Sequence, residues 1–86
     1  MEIEFDPAKD AANIAKHGVS LAEAERMDLA TAAVVPDLRR DYGEMRFRAF
    51  GRIDGLTYCL VFTVRAGKVR VISLRRAHAE ELEAYL

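Results

Sequence analysis

The dipeptide Asp54-Gly55 stands between two stretches in which apolar and polar residues alternate, and this constrains the fold more than any other feature of the chain. Two-residue hairpin loops favour type I′ turns with positive φ at both central positions, and Asp-Gly is a preferred pair for them. Such a turn pairs Ile53 with Leu56, and the remaining pairs follow by counting. One face then carries Gly51 with Tyr58, Ala49 with Leu60, Phe47 with Phe62 and Met45 with Val64. The opposite face carries Arg52 with Thr57, Phe50 with Cys59, Arg48 with Val61 and Arg46 with Thr63. The first set is apolar or glycine throughout. A one-residue slip would mix the sets, so the segregation itself supports the register.

Ala66-Gly67 offers a second two-residue turn, which pairs Val64 with Val69, Phe62 with Val71 and Leu60 with Ser73. The same count places Arg70, Ile72, Leu74 and Arg76 on the second face. That face then has an apolar centre of Phe50, Val61, Ile72 and Leu74, rimmed by Arg46, Arg48, Arg52, Arg70 and Arg76. It is too apolar to be simply solvated and too charged to be simply core.

Upstream, Glu2 to Phe5 reads as a short strand. Asp6-Pro7 supplies an N-cap followed by proline at the first helical position, and Gly18 is a left-handed stop after Lys16 and His17. Ser20 with Glu23 forms a capping box, which predicts a second helix over Leu21–Leu29. Thr31 to Val35 reads as a strand ended by Pro36, and Asp37–Gly43 as a charged connection. The pattern of His78, Leu82, Tyr85 and Leu86 predicts a last helix from Ala77 to Leu86, placed to lie over part of the arginine-rimmed face. The expected architecture is α+β in a single domain over residues 1–86: an antiparallel sheet with a short N-terminal strand, two helices, a four-strand meander and a C-terminal helix.

At 86 residues, with 51% hydrophobic and 31% charged positions, the chain suits one folded domain rather than a disordered one. A single cysteine, Cys59, excludes an internal disulfide framework and leaves no thiolate cluster for a structural metal. No apolar run approaches the ~18 residues that a membrane span needs, so a cytoplasmic protein is expected. Charge is unevenly placed. Residues 1–38 carry three basic groups against eight acidic ones, whereas residues 39–76 carry ten basic groups, nine of them arginine, against three acidic ones. Guanidinium forks suit phosphate oxygens, which points to a polyanionic partner; they equally suit the protein's own carboxylates.

No phosphate-binding glycine loop, metal-spaced cluster or nucleophile elbow occurs, so neither a cofactor nor a metal is expected. The remaining chemistry is acid–base work by scattered polar residues. Metal-free RNA cleavage fits that remainder, because the 2′-hydroxyl is an internal nucleophile and the protein need supply only a base, an acid and cations. His17 is a candidate acid or base, or alternatively a helix-end histidine satisfying carbonyls. His78 opens the last helix, and a structural or solvent-facing role suits it. Glu44 and Arg46, two apart, can share a face as base and phosphate ligand, or simply pair as ions. Arg75 and Arg76 alternate across the sheet, so only one reaches a given site. Tyr85 can offer its hydroxyl to a phosphate or pack on its own helix, and Cys59 reads as a small buried hydrophobe.

Several of these residues also form a recognisable series: Phe5-Asp6-Pro7-x-Lys9, Asn13-x-x-Lys16-His17-Gly18-Val19-Ser20, Glu23-Ala24, Glu44-x-Arg46, Gly51, Val61-Phe62-Thr63-x-Arg65 and Val69-Arg70-Val71-Ile72-Ser73-x-Arg75-Arg76-Ala77, with Glu81 and Tyr85. This series resembles the BrnT toxins of bacterial and archaeal type II toxin–antitoxin systems over nearly the whole chain. The resemblance implies a RelE-like α+β fold and RNA cleavage, ribosome-related or free, that halts translation. It also implies neutralisation by a BrnA-like antitoxin whose ribbon-helix-helix part binds operator DNA, in a heterotetramer. The chain departs from the family pattern at Met27-Asp28-Leu29-Ala30 and at Ser73-Leu74. Lys16, His17, Glu44, Arg46, Arg75 and Arg76 are the catalytic candidates, and Arg48, Arg52, Arg65, Arg70 and Tyr85 the RNA-binding ones. A non-catalytic module that docks a partner helix on the arginine-rimmed face is the alternative.

Overall fold

In the computed structural model, which describes residues 2–86, Asp54 and Gly55 both take positive φ, 51° and 79°, as a type I′ turn requires. The strands it joins, β3 (Phe47–Ile53) and β4 (Leu56–Arg65), pair in the register counted from the sequence, from Ile53 with Leu56 to Phe47 with Phe62. Met45 lies before β3, and both Met45 and Val64 are exposed, so that pair adds nothing to the core. The second turn also forms, with Ala66 at φ 51° and Gly67 at φ 78°, and leads into β5 (Lys68–Arg76).

β5 follows the expected pairing only as far as Val71 opposite Phe62. The register then shifts, so that Ser73 faces Val61, Leu74 faces Leu60, Arg75 faces Cys59 and Arg76 faces Tyr58. Ile72 is the extra residue of a β-bulge, and one inserted residue exchanges the faces of everything after it. The expected pairing of Leu60 with Ser73 is thereby corrected. Leu74 belongs to the core side, where it is fully buried, and Arg76 lies on that side with its guanidinium over the Tyr58 ring. Ser73 and Arg75 move to the arginine face.

The other two strands are β1 (Ile3–Glu4) and β2 (Ala33–Pro36), and the sheet order is β1-β5-β4-β3-β2. Strands β2 to β5 form the antiparallel meander, but β1 runs parallel to β5, with Ile3 beside Val69 and Glu4 beside Arg70, so the sheet is mixed rather than antiparallel. A tight turn forces antiparallel pairing. No such turn joins β1 to β5, because Asp6-Pro7 leads β1 directly into α1 (Pro7–His17).

The predicted second helix is instead a short 3-10 helix, Leu21–Arg26, that stops at Met27 in an extended conformation. Two contacts draw the chain out of the helix. The Asp28 amide donates to the Arg52 carbonyl on β3, and Met27 packs so closely over Gly51 that a Cβ there would lie 2.9 Å from its Cγ and Sδ. The apolar side chains of this segment, Leu21, Ala24 and Met27, close the main core over Ala49, Ile53, Leu60, Val71 and Leu74.

Helix α1 contributes one buried residue to the fold, and it is polar. Asn13 donates through Nδ2 to the carbonyls of Leu74 and Val19, both at 2.9 Å, and its Oδ1 accepts from the Leu74 amide at 3.2 Å. One side chain thus completes the β5 edge where β1 has already ended. Asp10 works similarly, its Oδ1 accepting from the Ser20 hydroxyl and the Leu21 amide. The C-terminal helix is shorter than expected, α2 (Ala79–Glu83), because Ala77 still bonds as strand, its amide donating to the Thr57 carbonyl.

Replacing Asn13 by Leu strands the Leu74 amide and carbonyl in the interior and is expected to lower the unfolding free energy by about 2–3 kcal/mol in urea titration. Gly51→Ala overpacks Met27 and is expected to cost about 1–3 kcal/mol by the same measurement, with Met27→Ala in the Gly51→Ala background recovering part of the loss.

Candidate nucleic-acid interface

The sheet face opposite the main core is organised in rows running across the strands. Val35, Arg48, Val61 and Ser73 form one row, and Ala33, Phe50, Cys59 and Arg75 form the next. The second row is capped by α2: Leu82, fully buried, joins Phe50, Cys59 and Ala77 in a small second core, and the Tyr85 ring stacks on Phe50 at 5.4 Å. The helix therefore covers one end of the arginine face and leaves the Arg48 row outside this core. Burial raises the Cys59 thiol above its ordinary value, so it stays protonated and unreactive.

Most cations of this half of the chain are already paired. Glu44 accepts from Arg65 Nη2 at 2.8 Å and from Arg46 Nε at 2.9 Å, and these two bonds hold its carboxyl below the usual range. Arg75 meets Glu81 at 3.0 Å; together with the His78 amide it lowers the Glu81 carboxyl in the same way. Arg70 faces Glu4 at 3.6 Å and Lys68 faces Glu2 at 3.4 Å. The acidic N-terminal strand thus neutralises part of the basic segment.

Asp37, Arg39 and Tyr42 join the site from the connection that reads in the sequence as a charged loop. Asp37 is 4% exposed and accepts from Arg39 Nε and Nη2, each at 2.8 Å, and from the Tyr42 hydroxyl at 3.1 Å. Tyr42 also lies under the Arg46 guanidinium, 4.2 Å from ring centroid to Cζ, and so links the Asp37 and Glu44 clusters. The signal in the sequence is the Asp37-x-Arg39 spacing, which lets the Asp37 carboxylate accept from the Arg39 amide as well.

Arg40, Arg48, Arg52 and Arg76 differ from the rest: among the described residues none of the four lies within ion-pairing distance of a carboxylate. The Nε of Arg48 is buried without a hydrogen-bond partner, and its guanidinium lies 5.6 Å from the Phe50 ring. Arg76, on the core side, donates from Nε to the Thr57 carbonyl at 3.3 Å. Lys16 and His17 are elsewhere again, at the end of α1, where with Lys9 they line a cleft beside Ser73. The catalytic candidates therefore fall into separate groups. Glu44 and Arg46 are joined by a bond, Arg75 shares their face, and Lys16, His17 and Arg76 stand apart from that pair.

Asp37 is held well below its ordinary value of 3.8, chiefly by its hydrogen bonds to Arg39. A depressed carboxyl stabilises the fold at pH above 3.8 and loses that contribution as pH falls toward its folded value. The stability difference between the parent and Asp37→Asn is therefore expected to be largest near neutrality and to shrink progressively below pH 3.8, as read from thermal melts at a series of pH values.

No group of three or more His, Cys, Asp or Glu residues converges as a metal site among the described residues, and no helix is long and apolar enough to cross a membrane. A search of curated proteins gives no match to the sequence. The family model described as "Ribonuclease toxin, BrnT, of type II toxin-antitoxin system" matches residues 5–81, nearly the whole chain. With that coverage, and with a guanidinium-lined sheet face suited to a polyanion, this chain belongs to the BrnT family of ribonuclease toxins.

Proposed function

We propose that the chain is a metal-independent endoribonuclease toxin that cuts RNA by attack of the 2′-hydroxyl on the adjacent phosphate and so stops translation. The observation that carries this reading is Arg48, a guanidinium without a carboxylate partner and with its Nε unbonded, on a face where Arg46 and Arg75 are paired. A guanidinium without a carboxylate partner is available to a phosphate oxygen through its terminal nitrogens.

In this reading Arg48 binds the scissile phosphate, and Arg46 and Arg75 add charge as the pentacoordinate state forms. Glu44, held as an anion by Arg46 and Arg65, takes the 2′-proton once the phosphate draws those guanidiniums toward itself; as the new 2′-oxygen–phosphorus bond forms, the bond to the 5′-oxygen breaks and that oxygen leaves with a proton from water. Arg52, exposed and unpaired, and Arg70 extend the contacts along the backbone, and Tyr85 stays with Phe50. A BrnA-like ribbon-helix-helix antitoxin neutralises the toxin in the cytoplasm by covering this face, within a heterotetramer that contacts operator DNA through the antitoxin alone.

Two observations favour a second reading, a docking module without catalysis. Glu44 is a weakened base, and the half-buried Val35 beside buried Val61 offers apolar footing for a partner helix between the arginines.

The two readings separate on incubation of the purified chain with RNA in EDTA. The parent is expected to leave 2′,3′-cyclic phosphate ends, and folded Arg48→Ala is expected to cut about 10²-fold more slowly. Absence of cleavage with and without ribosomes would leave the docking module, and full activity in Arg48→Ala would remove the proposed phosphate ligand.

A further inference from the structure

Lys9, Asn13 and Lys16 are spaced four and three residues apart, so they share one face of α1. Asn13 is committed to the β5 edge, and beside it opens a cleft of about 200 Å³. Lys9, Lys16, His17 and Ser73 supply its polar lining, and Ala12 and Ile72 supply apolar lining. The bulge at Ile72 places both a hydroxyl and an aliphatic side chain at this position.

The cations of the cleft are unpaired. Both lysines are exposed, and among the described residues neither is within ion-pairing distance of a carboxylate, a state they share with Arg40, Arg48, Arg52 and Arg76, whereas Lys68 and six arginines are paired. The cleft also continues the arginine face. Ser73 stands opposite Val61, and Val61 opposite Arg48, so the unpaired guanidinium and the unpaired lysines lie toward the two ends of one cross-strand row. With strands ~4.8 Å apart, Arg48 and Ser73 are separated by about 10 Å, a distance that one or two nucleotides of an extended strand can bridge.

We propose that this cleft is a second RNA subsite, taking one nucleotide of a single-stranded substrate next to the stretch held at Arg48. This inference rests on the proposal that the chain binds RNA. Lys9 and Lys16 hold the phosphodiester, the His17 ring N–H and the Ser73 hydroxyl donate to its oxygens, and the ribose or base rests against Ala12 and Ile72. The volume lies below the ~300–1,000 Å³ of pockets that enclose drug-sized ligands, so the cleft takes the phosphate and part of the ribose or base and leaves the rest of the nucleotide in solvent. Lys16 and His17 thus act in substrate binding, away from the reacting phosphate. The path crosses the strands instead of following them.

Two measurements test this. In NMR titration with adenosine 5′-monophosphate, the amides of Lys16, His17, Ile72 and Ser73 are expected to shift more than with inorganic phosphate at equal concentration. No shift, or an equal shift with phosphate alone, would overturn the nucleotide subsite. In the second, a 2′-O-methyl RNA oligonucleotide, which cannot be cut, is bound by the parent and by Lys9→Gln/Lys16→Gln over a series of salt concentrations. The double variant is expected to bind about fivefold more weakly, with a salt slope smaller by about 0.7, the amount that one phosphate of a single strand contributes. Unchanged affinity and slope would overturn the inference even if the chain cleaves RNA. Lysine-dependent binding by a chain that never cleaves would sustain the subsite and remove the nuclease reading.

Discussion

The single extra residue at Ile72 decides which side of the sheet the end of the chain serves. Without it Leu74 would point away from the main core and Arg75 would point into it. With it Leu74 fills the centre of the core, and Arg75 reaches the face where Glu81 waits. Beyond the bulge β5 has outrun β1, and Asn13 takes up the edge amide and carbonyl of Leu74 from α1. The helix is thus attached to the sheet through hydrogen bonds as much as through apolar contact, which accounts for Asn13 being its one buried residue.

Charge follows a second organising rule. The acidic first third and the basic middle of the sequence are interleaved in space: Glu2 and Glu4 flank Lys68 and Arg70, and Asp54 joins Glu23 at Arg26. Exposed pairs of this kind contribute little to stability, commonly ~0–1 kcal/mol, so their main effect is on the pattern of potential left over. The pairing leaves Lys9, Lys16, Arg40, Arg48, Arg52 and Arg76 without carboxylate partners among the described residues. A chain whose net charge is −1 therefore still carries unpaired cations.

Legibility from sequence divides along the range of the interactions. The Asp54-Gly55 and Ala66-Gly67 turns, the β3–β4 register, the Asp6 cap and the Gly18 stop are set by neighbouring residues and form as read; Ser20 also caps, but by accepting from the Ala22 amide, while Glu23 pairs with Arg26 instead of closing a capping box. The bulge is hidden because Ile72 and Leu74, both apolar and two apart, imitate unbroken alternation. The parallel pairing of β1 depends on residues far along the chain, and the early end of the second helix depends on Met27 meeting Gly51. In the site, the Glu44–Arg46 pair is visible as an i, i+2 spacing on one face. The addition of Arg65 to it, the Asp37–Arg39–Tyr42 cluster and the isolation of Arg48 all depend on which strands come to lie side by side.

The five-strand sheet is blunted on both sides, at β2 and where β5 runs on past the two-residue border strand β1. At β2 the border strand is four residues long and ends in Pro36, which has no amide hydrogen to offer; at β5 the strand outlasts β1, and the Asn13 carboxamide occupies the groups of Leu74. Open strand borders are templates for intermolecular β-pairing, and these two are blunted in different ways. The two residues therefore act against self-association as well as for the fold, so substitutions there can remove folded monomer from solution while every arginine of the sheet face stays intact.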